Sequence, residues 1–149
     1  TTQYLKEQGV EETDQTQIAV YFAKDVSGFK QLFNEPMRAE AFTIPAETAD
    51  FEVEVSYTLP KDAKIVSIMP VMRTRGKRVT YTLISPDGSE RTLLEIPDWI
   101  AVPAGSVVTA TAHFDNSEAN LKNPDPWSDV PSGPAGEVFE GWLGYALAD

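Results

Sequence analysis

Cysteine is absent from the 149-residue sequence, and histidine occurs only once, as His113. Without cysteine, the chain has no disulfide bonds, no thiolate metal ligands and no cysteine nucleophile. A hydrolase built on a serine–histidine pair would have to use His113, since the sequence offers no other imidazole. These absences leave little room for the common nucleophilic chemistries.

Long apolar runs are also absent, because no stretch approaches the roughly 18 residues that a membrane-spanning helix needs. Basic residues are few: 12 Lys and Arg stand against 23 Asp and Glu, which gives a formal net charge of −11. Such an acidic chain repels the phosphates of nucleic acids and of anionic bilayers. We therefore expect neither a nucleic-acid partner nor membrane insertion. The start at Thr1, without a signal segment, leads us to expect a processed mature chain or an excised piece.

Alternation of apolar and polar residues with a period of two dominates the pattern. Residues 51–59 (FEVEVSYTL) alternate as a half-buried strand requires. Residues 107–114 (VVTATAHF) do the same and place His113 on the face opposite to Phe114. Further strands are predicted at 17–22, 41–44, 64–69, 78–85, 91–96 and 140–147. The expected core contains Val53, Val55, Tyr57, Ile65, Tyr81, Leu83, Val108 and Ala110.

The segment SPDGSE, residues 85–90, predicts a β-hairpin between two of these strands. Pro86 suits the first corner of the turn, and Gly88 suits a backbone position with positive φ. Short strands separated by turns, without βαβ alternation, predict an all-β, antiparallel β-sandwich or jelly roll. We assign residues 14–149 to this domain and residues 1–13 to an N-terminal arm or short helix. Residues 116–136, with four prolines, are predicted to form one long loop.

Four of the 12 basic residues lie together in the segment RTRGKR, as Arg73, Arg75, Lys77 and Arg78. One interpretation is a solvated loop whose charges offset those of an acidic protein. The other is a binding site for an anion or an acidic partner.

Several segments carry a resemblance to a known family. They are MPVMRTRGKRVTYTLISPDGSERTLLEIPDW at 69–99, PAGSVVTATAHFDNSEANLKNPDP at 103–126 and EGWLGY at 140–145. They resemble the C-terminal domain of copper type II, ascorbate-dependent monooxygenases, which include the peptidylglycine and dopamine hydroxylating enzymes and have bacterial members. DQTQIAVYFAK and IPAETADFEVEVSYTLPKDAKI also look like family sequence, so the resemblance covers most of the chain from Asp14 onwards. It implies a β-sandwich.

In that family the domain binds copper through the two histidines of an HMH segment and a methionine near the end, donors that suit Cu(I). The resemblance places Val71 and Arg73 at the histidine positions and Gly141 at the methionine position. Arg73 would put a permanent positive charge where the cation sits. The resemblance therefore implies a domain that has lost its copper ligands, without catalytic residues and without a cofactor.

The sequence contains other residues that could bind a metal ion. Met69, Met72 and His113 are candidates for a replacement Cu(I) site. The alternative for His113 is a structural residue whose hydrogen bonds fix the loop that follows it. For Ca²⁺ the oxygen donors are Asp115, Asn116, Asp125 and Asp129, but their spacing matches no EF-hand, and side-chain to backbone turns explain such residues equally well.

Three classes of function follow. The first, which we favour, is a non-catalytic, extracellular or periplasmic binding or structural subunit that meets a protein partner or assembles with itself. Within this class, polar residues before Asp14 are expected to pair with the sheet edge of a neighbour. The second is a copper-dependent monooxygenase half completed by a partner chain. The third is an anion or glycan binder that uses the Arg73–Arg78 loop with the nearby aromatics Trp99 and Trp127.

Overall fold

The computed structural model describes residues 15, 17–25, 27–28, 30–93 and 99–148. The arm or helix predicted at 1–13 lies outside these residues. The described residues form ten strands and contain no helix, and hence none that could cross a bilayer. The strands are β1 (Leu32–Arg38), β2 (Thr43–Ile44), β3 (Phe51–Thr58), β4 (Ala63–Met72), β5 (Gly76–Ile84), β6 (Glu90–Leu93), β7 (Ile100–Val102), β8 (Val107–Phe114), β9 (Val130–Pro131) and β10 (Phe139–Leu147).

Eight strands form two four-stranded antiparallel sheets that pack face to face. The first sheet has the order β1-β10-β4-β7 and the second the order β3-β8-β5-β6, while β2 and β9 form a small ladder of their own. The chain changes sheet between β3 and β4, between β4 and β5, and again on both sides of β7, as in a jelly roll. The predicted all-β, antiparallel sandwich is confirmed.

The core lies between the two sheets and follows the alternation read from the sequence. Along β8, buried and partly buried residues alternate without exception, and Val108, Ala110, Ala112 and Phe114 are fully buried. Of the eight expected core residues, all are buried except Val53 and Tyr57, which are partly buried on β3 at the edge of its sheet. The period-two pattern therefore gave the correct faces.

The β5–β6 hairpin has the predicted turn. Gly88 has a φ of 81°, and its N–H donates to the Ser85 carbonyl at 2.9 Å. The Asp87 carboxylate accepts hydrogen bonds from the Ser89 N–H and hydroxyl at 2.9 and 2.7 Å. The predicted return strand at 91–96 is seen as far as Leu93, since residues 94–98 lie outside the described part of the chain.

One strand prediction is wrong, and the strands β1 and β7 were not predicted. Residues 17–22 form no strand, because none of the described strands pairs with them. β1 was not predicted, because Asn34, Glu35 and Pro36 interrupt its apolar pattern; proline is tolerated there because β1 lies at a sheet edge. The long loop at 116–136 also contains the two-residue strand β9.

Candidate functional site at the β4–β5 turn

The turn that joins β4 to β5 is held at one end of the sandwich by a buried carboxylate. Glu137, only 1% exposed, accepts the N–H of Arg75 at 2.9 Å with one oxygen and that of Arg73 at 3.1 Å with the other. The turn closes on itself through the Gly76 N–H, which donates to the Arg73 carbonyl. A buried acid thus fixes the backbone of the RTRGKR segment.

The Arg75 side chain points into the protein and is 9% exposed. Its Nε donates to the Asn116 Oδ1 at 2.8 Å, and its Nη1 lies 3.7 Å from the Glu137 carboxylate. Arg75 is therefore part of the packed interior, whereas Arg73, Lys77 and Arg78 are exposed, so the interpretation as a solvated loop fails for Arg75 alone.

Asn116, fully buried, connects three parts of the chain. Its Oδ1 accepts from Arg75 and, at 3.0 Å, from Asn123, while its Nδ2 donates to the carbonyls of Pro45 and Ser128, both at 3.0 Å. Its backbone N–H donates to the Thr48 carbonyl at 2.7 Å. All the hydrogen-bonding groups of this side chain are used, so Asn116 joins the long loop to the β2–β3 loop and to Arg75.

Arg73 extends in the opposite direction, along the surface. Its Nη1 lies 3.3, 2.6 and 2.9 Å from the backbone carbonyl oxygens of Gly133, Pro134 and Gly136. The guanidinium thereby provides the positive charge around which the 133–136 turn is wrapped. Three backbone acceptors are the environment of a structural arginine.

The other two basic residues of the segment contact the end of the β2–β3 loop. Lys77 donates to the Ala49 carbonyl at 3.1 Å and lies 4.0 Å from Asp50. Arg78 lies 3.5 Å from the other Asp50 oxygen and 3.1 Å from Nδ1 of His113. The four cations that the sequence grouped together thus do not converge on one point.

His113 lies on the outer face of the second sheet, in register with Arg78 on one side and Glu52 on the other. Its Nδ1 is 3.1 Å from Asp50, and its Nε2 is 3.8 Å from Glu52. The sequence interpretation assigned it to fixing the loop that follows β8. Its contacts are instead with Asp50, before β3, and with the neighbouring strands.

An open cleft of about 480 Å³ borders the turn. Three cationic residues line it, namely Arg73, Lys77 and Lys122, together with Asp115 and the fully exposed Leu121. Hydrogen bonds from Ser117 lower the pKa of the Asp115 carboxyl, so this group is negatively charged at neutral pH. The cleft has a net positive lining in an otherwise acidic protein.

The three positions that resemble copper ligands do not share one face. Val71 is opposite Glu140 on the outer face of the first sheet. Gly141 is opposite Pro70 and faces the core, where a Cβ would lie 2.9 Å from that of Ala110. A methionine at 141 would therefore point between the sheets, away from residue 71.

The replacement Cu(I) ligands are separated as well. Met69 is exposed on the outer face of the first sheet, beside Trp142, whereas His113 lies on the outer face of the second sheet. Met72 points inward and packs against Gly76. Within the described ranges, no group of three or more His, Asp or Glu residues is arranged for a metal ion.

The acidic residues of the long loop are used in turns and in a link to a second loop. Asp115 accepts from the Ser117 N–H and hydroxyl, and Asp125 accepts from the Trp127 N–H at 3.0 Å. Asp129 accepts from the Ala46 N–H at 2.8 Å. Hydrogen bonds from Ser128 and Trp127 lower the pKa of Asp125. The interpretation of Asp115 and Asp125 as side-chain to backbone turns is confirmed.

The tryptophans proposed for glycan binding are both exposed, Trp99 by 53% and Trp127 by 61%. Trp99 directly precedes β7, which pairs with the start of β4, whereas Trp127 lies in the long loop near the Arg75 end of the sandwich. No hydrogen bond or ring contact of the described residues joins them.

Sequence reasoning missed Glu137 and Asp50, which hold the basic segment in place. Glu137 follows the turn-rich segment SGPAG, and nothing in the sequence indicates that its carboxylate is buried. Comparison with protein-family models, curated proteins and solved structures gives no match.

Proposed function

We propose that this chain is a non-catalytic β-sandwich module, related to the C-terminal domain of copper type II monooxygenases, and that it works as an extracellular or periplasmic binding or structural subunit. The observation that carries the proposal is the environment of Arg73. This residue stands at one of the histidine positions of the resemblance, and its guanidinium is already bound by three carbonyl oxygens.

Two further features support a structural role. Arg75, the buried Glu137 and Asn116 form a hydrogen-bonded network that links the β4–β5 turn to the neighbouring loops. Such a network fixes long loops on a sandwich. The second feature is the environment of His113, whose neighbours are Asp50 and Arg78 and not a nucleophile that it could activate as a base. The strand edges and exposed apolar side chains remain as the means of binding another protein.

Copper binding is the test that separates this function from a monooxygenase half. The chain is titrated with Cu(I) in the presence of ascorbate, and oxygen uptake is followed with a glycine-extended peptide. We expect no affinity at the roughly micromolar level and no turnover, because a cation placed beside Arg73 would be repelled. Tight Cu(I) binding or turnover would refute the proposal.

The cationic cleft supports a second candidate, an anion or acidic-glycan binder. Lys77 and Lys122 line the cleft from β5 and from the long loop, and Arg73 adds a third charge. Calorimetry with inorganic phosphate and with a sulfated oligosaccharide tests it. The variant Lys77→Gln/Lys122→Gln should abolish any binding, and Lys64→Gln, on the first sheet, is the matched control. Equal binding by both variants would contradict this site.

A further inference from the structure

Residues 17–22 (QIAVYF) form an apolar segment that the sandwich leaves uncovered. The exposed fractions are 85% for Ile18, 67% for Val20, 94% for Tyr21 and 89% for Phe22. Adjacent large side chains at this exposure mark an interaction site. In an extended conformation Ile18, Val20 and Phe22 share one face, and the residue types are those that favour strands. This segment is called the arm from here on and is distinct from the N-terminal residues 1–13. It has the residue types of a strand but pairs with none of the described strands.

One sheet edge is suited to receive it. β3 ends the sheet β3-β8-β5-β6, and none of the described strands pairs with its outer side. It has eight residues, no proline and a regular register with β8. The other edges are less suitable: β1 contains Pro36, and β6 and β7 have four and three residues.

The core is incompletely covered beside this edge. Phe51, Val53 and Tyr57 on β3 point inward but are only partly buried, whereas their neighbours on β8 are fully buried. Phe33, on β1 across the sandwich, is also partly buried and stacks on Tyr145. β1 and β3 contact each other on this side of the molecule. Apolar side chains added along β3 would cover this opening.

We propose that the arm of one chain binds as a fifth strand along β3 of a second copy of the chain. Backbone hydrogen bonds to the open edge supply the affinity, and Ile18, Val20 and Phe22 cover the partly buried β3 residues. The Phe22 ring alone buries roughly 150–250 Å². Reciprocal exchange of two arms then approaches the roughly 1,200 Å² of a small specific interface.

A second copy is the occupant because the arm lies off its own β3 edge, although that edge is open in the same chain. The outer face of β3 carries Glu52 and Glu54, and each chain has a net charge of −11. Electrostatic repulsion between copies therefore opposes association. Added salt screens this repulsion and should strengthen the association. The inference names a partner for the structural role proposed above.

The first test is self-association measured by sedimentation and light scattering over a range of concentrations. The wild-type mass should at least double as concentration rises, as a dimer or as an open-ended filament. Ala19→Pro and Val20→Asp should remain monomeric, since both act on the arm alone. Leu121→Asp, at an equally exposed residue elsewhere, should associate like the wild type. A monomeric wild type, or association unchanged in the arm variants, would overturn the proposal.

The second test places the arm by cross-linking, which is clean because the chain has no cysteine. A chain with Ala19→Cys is mixed with one carrying Ser56→Cys on β3, or with one carrying Thr92→Cys on β6 as the control. We expect a disulfide-linked dimer with Ser56→Cys, formed several-fold faster than with Thr92→Cys. Equal rates would contradict β3 as the binding edge.

The chain that carries both Ala19→Cys and Ser56→Cys distinguishes the two sources of the arm. A disulfide that closes within the monomer at high dilution would show that the arm binds its own edge, and would overturn the proposal. The outcome is independent of copper: Cu(I) binding would refute the function proposed above and leave the arm untouched, whereas failed cross-linking would refute only the arm.

Discussion

At the scale of single residues, Tyr81 is a buried polar group without a partner. The residue is 3% exposed, and its hydroxyl forms no hydrogen bond with any described residue. Burial raises the pKa of Tyr81 to about 12. The hydroxyl is close to the core face of Gly141, where the two sheets approach each other. A hydroxyl desolvated without compensation costs stability.

Replacing this hydroxyl should therefore stabilise the protein. We expect Tyr81→Phe to raise the free energy of unfolding by about 1 kcal/mol, measured by urea denaturation. Tyr57→Phe is the matched control, because the Tyr57 hydroxyl is hydrogen-bonded to that of Tyr145 at 3.1 Å. The control should lower stability by a similar amount. A destabilised Tyr81→Phe would show that the hydroxyl has a partner.

Asn116 is the opposite case, a buried polar side chain whose groups are all satisfied. Asn116→Ala should lower the free energy of unfolding by about 3 kcal/mol, because it leaves the Arg75 Nε and two carbonyls without partners in the interior. Asn120→Ala, in the same loop but less buried, should cost less than about 1 kcal/mol. Equal losses, measured by thermal denaturation, would mean that Asn116 does not hold the loops together.

At the scale of elements, the sequence predicts strands that a local pattern defines. It does not predict strands that depend on long-range pairing. β3, β8 and the β5–β6 hairpin carry their alternation and turn residues within a few positions, and all three were predicted. The arm and β1 show the limit, because a strand exists only where another strand pairs with it. At the site, RTRGKR was visible as a cluster, but its partners Glu137 and Asn116 lie about 40 or more residues away.

The long loop is an element whose order depends on ionised carboxylates. Hydrogen bonds from Ser117 hold the pKa of Asp115 below its ordinary value, and those from Ser128 and Trp127 do the same for Asp125. The unfolded chain then binds protons at higher pH than the folded chain. The stability that these hydrogen bonds contribute is fully present above the pKa of the two carboxyls in the unfolded chain, about 4. It is lost as the pH falls through their lower pKa values in the folded chain.

Acid should therefore loosen this loop. Amide hydrogen exchange at Ser117 and Trp127 should accelerate as pH falls below about 4, after correction for the intrinsic exchange rate. Ser117→Ala should weaken the effect at residue 117 and leave Trp127 unchanged. If the corrected exchange rate stayed the same in acid at both Ser117 and Trp127, the role of these carboxylates would be contradicted.

At the scale of the whole molecule, charge imbalance is the dominant feature. The 23 acidic residues exceed the 12 basic ones, and the basic segment of the β4–β5 turn is engaged in fixing loops. Among the residues that the structure describes, the exposed ion pairs, such as Arg38 with Glu140, are few compared with the net charge of −11. Self-repulsion of the folded chain therefore outweighs the surface attractions that salt would screen.

Salt should accordingly stabilise the fold. Raising NaCl from low concentration to about 0.15 M, where the Debye length is about 8 Å, should raise stability by about 1 kcal/mol, or roughly 2–4 °C in Tm. The measurement is made on Val20→Asp, which keeps arm-driven association out of the result. Adding Glu40→Gln and Glu118→Gln removes two exposed negative charges, so that protein should start at a higher Tm and gain less from salt. A Tm that falls with salt would mean that the ion pairs around Asp50 and Glu140 outweigh the net repulsion.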